Sequence, residues 1–172
     1  MIRPLNCVAM IGVCLALSAG GCANRGGMTR IGPASWSGMG IELSLPAGDW
    51  AKDSLSSRRV AVFRKTHSEA HVIIMQLASC DDDCPGTALR RLFAHFKKKT
   101  ELARWRRPLQ GGPQAQFAEM LVKAEDRYLH VYACAFRHAD RVYDVVAWGM
   151  DRDDFNRLAD GFRMMERNSS VR

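Results

Sequence analysis

Polar and apolar positions fall into two repeats along this chain, and the order of those repeats outlines a fold. From Gly40 to Leu45, Ile41, Leu43 and Leu45 alternate with Glu42 and Ser44, and Pro46-Ala-Gly-Asp49 follows, so a half-buried strand and a turn are expected. Trp50 is expected to pack back on that strand. Arg59–Thr66 and His71–Ser79 are rich in Val, Ile and Phe and are joined by the polar His67-Ser-Glu-Ala70, the pattern of an antiparallel hairpin. The run from Val72 to Ala78 is apolar at odd and even positions alike, so both of its faces need cover.

The period then lengthens. After Pro85, which suits a first helical turn, Leu89, Leu92, Phe93 and Phe96 recur at helical spacing, predicting an amphipathic helix to about Lys98. Leu102–Arg106 fits either element, and Gly111-Gly112-Pro113 is a turn. Gln116–Lys123, Tyr128–Arg137 and Arg141–Trp148 are expected to be three hairpin-linked strands. Phe155, Leu158, Ala159 and Phe162 mark a closing helix, with Asp151, Asp153 and Asp154 at the positive end of its dipole. These elements predict an α+β domain: an antiparallel sheet of about six strands flanked by helices on both faces.

The N-terminal pattern differs from all of these. Arg3 is the only charge before Arg25, and Cys7 to Ala19 is apolar or small, ending in Gly20, Gly21 and Cys22. A short basic start, an apolar middle of about 7–15 residues and a small-residue exit make an export signal. A permanent span wants about 20 predominantly apolar residues, and Gly12, Ser18, Gly20 and Gly21 interrupt this run. Leu17-Ser-Ala-Gly-Gly-Cys22 resembles the lipobox of bacterial lipoproteins, although Ala19 stands where that family prefers leucine. The resemblance implies lipidation of Cys22 and cleavage before it, and burial of the acyl chains then holds the protein at a membrane. Ordinary cleavage after Ala23, releasing a soluble exported protein, is the alternative. Four segments are therefore expected: a signal over 1–21, a Gly-rich tether over 22–35, a folded domain over 36–166 and a tail over 167–172. Ala23 is not the aspartate associated with inner-membrane retention, which favours the outer membrane, facing the periplasm.

Three blocks of the folded part, Gly40-Ile-Glu-Leu-Ser-Leu-Pro-Ala-Gly-Asp-Trp50, Asp140-Arg-Val-Tyr-Asp-Val-Val-Ala-Trp148 and Phe155-Asn-Arg-Leu-Ala-Asp-Gly-Phe162, resemble the PsbP-like fold family over about residues 40–166. That family includes the extrinsic lumenal protein of photosystem II and many bacterial envelope proteins. The resemblance implies an interaction or assembly module, with no enzyme activity and no cofactor.

Candidate chemistry is sparse. Of six cysteines, Cys7 and Cys14 lie in the signal, Cys22 is the lipid site, and Cys80, Cys84 and Cys134 remain. In an oxidising compartment Cys80 and Cys84, four apart in a loop, most simply form a disulfide, and Cys134 is a small buried residue. The sharper alternative is a copper or thiol-redox protein. Cys80-Asp-Asp-Asp-Cys84-Pro85 resembles the copper site of the Sco family, with His130 or His138 as third ligand. Against it, the three aspartates depart from that family's pattern, and hairpin-linked strands after Pro113 do not supply parallel crossovers. His67 and His71 read as turn histidines, because Glu69 is misplaced for HExxH. Asp81–Asp83 lacks the spacing of a calcium loop. No GxSxG elbow or phosphate-binding glycine loop occurs.

Charge adds one surface. The chain carries +7 at pH 7, with a pI near 9.4. Much of it lies where Arg90, Arg91, Lys97, Lys98, Lys99, Arg104, Arg106 and Arg107 meet only Glu101 as acid. An exported chain rarely meets nucleic acid, so anionic lipid headgroups, cell-wall polymers or an acidic protein face are the better candidates, against a merely solvated face. Arg90, Arg91, Lys97 and Lys98, on the helix face away from its apolar stripe, are the candidate docking residues.

Overall fold

A computed structural model describes residues 29–31, 35–78, 84–124 and 126–165. In chain order the strands are β1 (Thr29–Ile31), β2 (Ser35–Gly38), β3 (Ile41–Ser44), β4 (Trp50–Lys52), β5 (Val60–Lys65) and β6 (His71–Ala78). Helix α1 (Cys84–Ala94) follows, then β7 (Lys99–Pro108), β8 (Gln114–Ala124), β9 (Arg127–His138), β10 (Arg141–Trp148), α2 (Arg152–Asp160) and β11 (Phe162–Met164). Two antiparallel sheets result, one ordered β1-β4-β5-β6-β10-β9-β8-β7 and the other β11-β3-β2.

This architecture corrects the expectation of about six strands flanked by helices on both faces. The described chain is mostly strand, with two short helices. Only one face of the large sheet is covered by a helix alone, α1. The other is covered by the three-stranded sheet, with α2 beside it. The extra strands are either very short or half-exposed. β1, β2, β4 and β11 have three or four residues, too few to display a period of two. β7 has ten, but Leu102, Arg104 and Arg106 are exposed and Ala103, Trp105 and Arg107 only partly covered, so no apolar face stands out. Thr29–Ile31, inside the stretch expected to be tether, pairs with β4 at the edge of the large sheet.

The alternation inside the long strands explains the layering. Along β6, Val72 and Ile74 enter the core beneath the small sheet, whereas Ile73 and Met75 enter the core beneath α1. That two-sided strand lies between β5 and β10, with cover on both faces as its sequence requires. β10 repeats the pattern: Tyr143, Val145 and Ala147 point one way, Val142, Val146 and Trp148 the other. Asp144 breaks it, placing a carboxyl on the α1 side at 3% exposure.

α1 buries Leu89, Leu92 and Phe93 against β8, β9 and β10, a gain of about 2 kcal/mol for each side chain. It stops at Ala94, four residues before the expected end. Phe96 N–H still bonds to Phe93 O, but the Lys98 carbonyl has turned to accept from Lys123 N–H and start the β7–β8 pairing. α2 starts where its acids predict: Asp151 is the N-cap, its carboxylate accepting from Asp154 N–H at 2.7 Å. At its other end Gly161 passes so close to Ser44 that a Cβ would fall 2.3 Å from the Ser44 carbonyl oxygen, and Ser44 N–H bonds to Gly161 O. That approach stitches the small sheet to α2.

Candidate functional site

The structure treats the sequence-selected residues unequally. Arg90, Arg91, Lys97 and Lys98 all reach solvent, the first pair on α1 and the second in the turn beyond it. Arg90 bonds to Thr87 Oγ1 at 2.8 Å and so stays close to its own helix. The rest of the basic stretch separates from this group. Arg104 grips Glu101 through two bonds of 3.0 and 2.7 Å, which raises the guanidinium pKa and lowers that of the carboxyl, chiefly through the shared hydrogen bonds. Arg107 points through the opposite face of β7. Its guanidinium lies 4.7 Å from the Phe117 ring centroid and bonds to Asp160 at 2.6 Å and to Asn156, so it fastens the end of α2 to the large sheet.

Cys22 and Cys80 lie outside the described residues, as do Asp81–Asp83. Cys84 is buried at the first turn of α1. Cys134 is free and wholly buried, and burial drives its thiol pKa far above the ordinary value, with Asp144 adding to the effect. The two histidines considered as copper ligands occupy opposite ends of β9. His138 sits at the hairpin where β6 also ends, through Arg141 paired with both His138 and Ala78, and His130 is bound elsewhere. Among the described residues no three His, Cys, Asp or Glu side chains group as a metal site.

The feature that sequence reading passes over is a polar cluster at the other end of the large sheet. Glu119 on β8 and His130 on β9 are diagonal neighbours on one face, where cross-strand side chains can reach each other. His130 Nε2 donates to Glu119 Oε1 at 2.6 Å, and Arg152, the first residue of α2, donates to Oε2. Glu119 is 5% exposed and exchanges its hydration for these two donors. His130 stacks on Tyr132, and Tyr132 on Phe155 of α2, with centroids 4.8 and 5.4 Å apart. Burial, followed by the Glu119 charge, raises the Tyr132 hydroxyl above the ordinary phenol range.

Beside this cluster opens a cleft of about 610 Å³. It is lined by Tyr128, Leu129, His130 and Tyr132 of β9, by Trp148 at the end of β10 with the turn over 149–151 after it, and by Asp154 and Glu69. Gly149, at φ +70°, makes that turn possible, since a Cβ there would meet the Glu69 carbonyl oxygen at 2.2 Å. His71 is half-buried rather than loose in the turn: it stacks on Trp148 with centroids 4.8 Å apart and planes within 7°, and its Nδ1–H donates to Glu69 O. Burial lowers its pKa despite that bond. The cluster is hidden from the sequence because Glu119, His130 and Arg152 come from three elements, and none forms a motif with its chain neighbours.

The layered arrangement is that of the PsbP-like fold. The chain superposes on the solution structure of cyanobacterial PsbP (CyanoP) from Synechocystis sp. PCC 6803 with a TM-score of 0.56 and 16% identity, covering 84% of this chain and 98% of that one. It is also similar to the crystal structure of PA94 from Pseudomonas aeruginosa, a protein of unknown function, with a TM-score of 0.45, 17% identity, and coverage of 74% of this chain and 86% of the other. No protein-family model and no curated protein matches the sequence. Likeness at this level defines a fold, and function has to be argued from the surfaces themselves.

Proposed function

We propose that this protein is a non-enzymatic interaction module of the bacterial cell envelope. Its mature chain begins at a lipidated Cys22 and its domain faces the periplasm, with the outer membrane favoured. The tether spans 22–35, with Thr29–Ile31 drawn onto the sheet edge, and a disulfide between Cys80 and Cys84 fixes the entry to α1. The domain docks through Arg90, Arg91, Lys97 and Lys98 on an anionic surface, either lipid headgroups or an acidic envelope protein.

The solvent access of all four basic side chains, where α1 turns its apolar stripe inward, carries this reading. Docking there desolvates no core residue, and each basic group near an anionic membrane contributes about 1 kcal/mol. The lipid anchor raises the effective concentration of such contacts, so weak attractions add. The PsbP-like fold supports an interaction role by analogy with that family. The alternative, a copper or thiol-redox protein, needs Cys80 and Cys84 reduced, and a free-thiol count separates it from the disulfide proposed here.

Two experiments test the proposal. Mass spectrometry of the mature N-terminus is expected to find acylated Cys22; an unmodified terminus elsewhere removes the anchor. Replacing Arg90, Arg91, Lys97 and Lys98 with Gln in tether-free protein is expected to abolish salt-sensitive retention on anionic vesicles or isolated envelope. Unchanged retention removes the docking face.

A further inference from the structure

The cleft between Tyr128 and the Trp148–Asp154 segment has no part in docking through the basic face, and its charge is opposite. We infer that it is a recognition site for an arginine- or lysine-bearing segment of a partner protein, which sets its cation among the carboxylates and its aliphatic stem against the aromatic wall. The lining contains Glu69, Asp151 and Asp154 and neither lysine nor arginine, in a chain whose net charge is +7. The cationic groups behind it, Arg152 and His130, are both committed to Glu119 and do not offset these acids.

The carboxylates are held in ways that leave them open to exchange. Glu69 reaches Arg127 at a long 3.5 Å with its side chain 73% exposed. Asp154 pairs at 2.8 Å with Arg157, one turn further along the surface of α2. Asp151 uses Oδ1 for the α2 N-cap. Solvent-facing pairs of this kind contribute little to the fold, so an incoming guanidinium or ammonium replaces them at small cost. Burial first, and after it the charges of Glu119, Asp151 and Asp153 against that of Arg152, keeps the Tyr132 hydroxyl protonated beside these acids.

Two features independent of the acids point to a peptide rather than a simple ion. Tyr128 is 57% exposed on the cleft wall, a ring that the core does not use and that offers a face to a cation or its stem. Trp148, also on the wall, is 2% exposed, and its indole N–H has no acceptor among the described residues. A buried donor without an acceptor is costly, and a peptide brings backbone carbonyls that an inorganic cation lacks.

The experiment is calorimetric titration of the full chain with a tetra-arginine peptide amide and with its citrulline counterpart, which keeps the shape and loses the charge. Saturable one-to-one binding of the arginine peptide is expected, at least tenfold tighter than that of the citrulline peptide. Glu69→Gln with Asp154→Asn, and separately Tyr128→Ala, are each expected to weaken it at least fivefold; these side chains are exposed or partly exposed, and unfolding midpoints verify that the variants fold. Arg90→Gln with Arg91→Gln is expected to leave peptide binding intact, so this site and the basic face fail or survive separately. Absence of saturable binding, equal binding of the citrulline peptide, or indifference to both cleft variants overturns the inference.

Discussion

The Glu119 carboxylate and the His130 imidazole, contributed by adjacent strands, meet at 2.6 Å with the acid almost wholly buried and the base 44% exposed. Arg152, 54% exposed, completes the set on the other oxygen. The asymmetry decides what mutation does. Removing Glu119 frees two groups that can return to water, whereas removing both donors strands a carboxylate in the protein. His130→Ala with Arg152→Ala is therefore expected to cost about 3 kcal/mol, more than Glu119→Gln, in urea unfolding at neutral pH. Equal losses would mean that the carboxylate has other support.

Asp144 carries a pH dependence of opposite sign to that of paired surface acids. Burial raises its carboxyl from 3.8 to about 7, and Oδ1 has no partner among the described residues. The folded state thus keeps a proton that the unfolded chain releases. This group's contribution is fully present below pH 3.8, is lost as pH rises from there through 7, and is constant above. Asp144→Asn is expected to remove a loss on the order of 4 kcal/mol, since each tenfold difference in proton affinity between folded and unfolded chain corresponds to about 1.4 kcal/mol. The check is the difference in unfolding free energy between variant and parent at about pH 4, 5.5, 7 and 8; a flat difference refutes it.

Gly149→Ala is expected to destabilise by about 2–4 kcal/mol, because the backbone is left-handed there and the new methyl meets the Glu69 carbonyl. Denaturant midpoints measure it. Gly111 provides the control: it also has positive φ, but a Cβ there meets nothing, so Gly111→Ala shows the conformational part alone.

Arg107 is expected to behave as a structural residue despite belonging to the basic stretch. Arg107→Lys keeps the charge but loses the planar contact with Phe117 and the fork to Asp160 and Asn156, so a loss of about 1–2 kcal/mol is expected with vesicle retention unchanged. Thermal unfolding and vesicle flotation separate the two effects.

Cys134 is expected to resist a chromogenic thiol reagent in the folded protein at about pH 8 and to react once denaturant is added, because its thiolate is suppressed by burial. Cys134→Ser should leave the folded-state signal unchanged and remove one equivalent from the denatured signal.

The long elements are legible in the sequence for a local reason. β6, β8, β9 and β10 each run eight residues or more, enough for alternation or two-sided apolarity to stand out, and Asp151 announces α2 by the chemistry of its cap. β11 reads as the tail of α2, because Phe162 continues the helical spacing; Gly161 ends the helix instead, and Phe162 pairs with Leu43. The inward packing of Trp50 is legible, but its place in a strand depends on partners such as Lys65, which no local pattern names. The cleft is illegible because it is made by registry. Glu119 faces Tyr132 and lies diagonal to His130 only after β8 and β9 have paired, and Glu69 joins them only through the turn at Gly149.

The order of strands also sets the timing of assembly. β6 occupies the middle of the large sheet, yet the neighbour that completes it is β10: Gln76 lies opposite Tyr143, 67 positions away in the chain, and Gln76 Nε2 bonds to the Tyr143 hydroxyl. Until that neighbour arrives, one edge of a strand with two greasy faces stands unpaired, a template on which other chains can add. Long-range pairing of this kind slows folding, so the interval of exposure is long compared with that of a helical protein of the same size. The fold therefore places its greatest aggregation hazard at its eventual centre and removes it near the end of the chain's assembly. A chain truncated before Arg141 is left with the hazard and without its remedy.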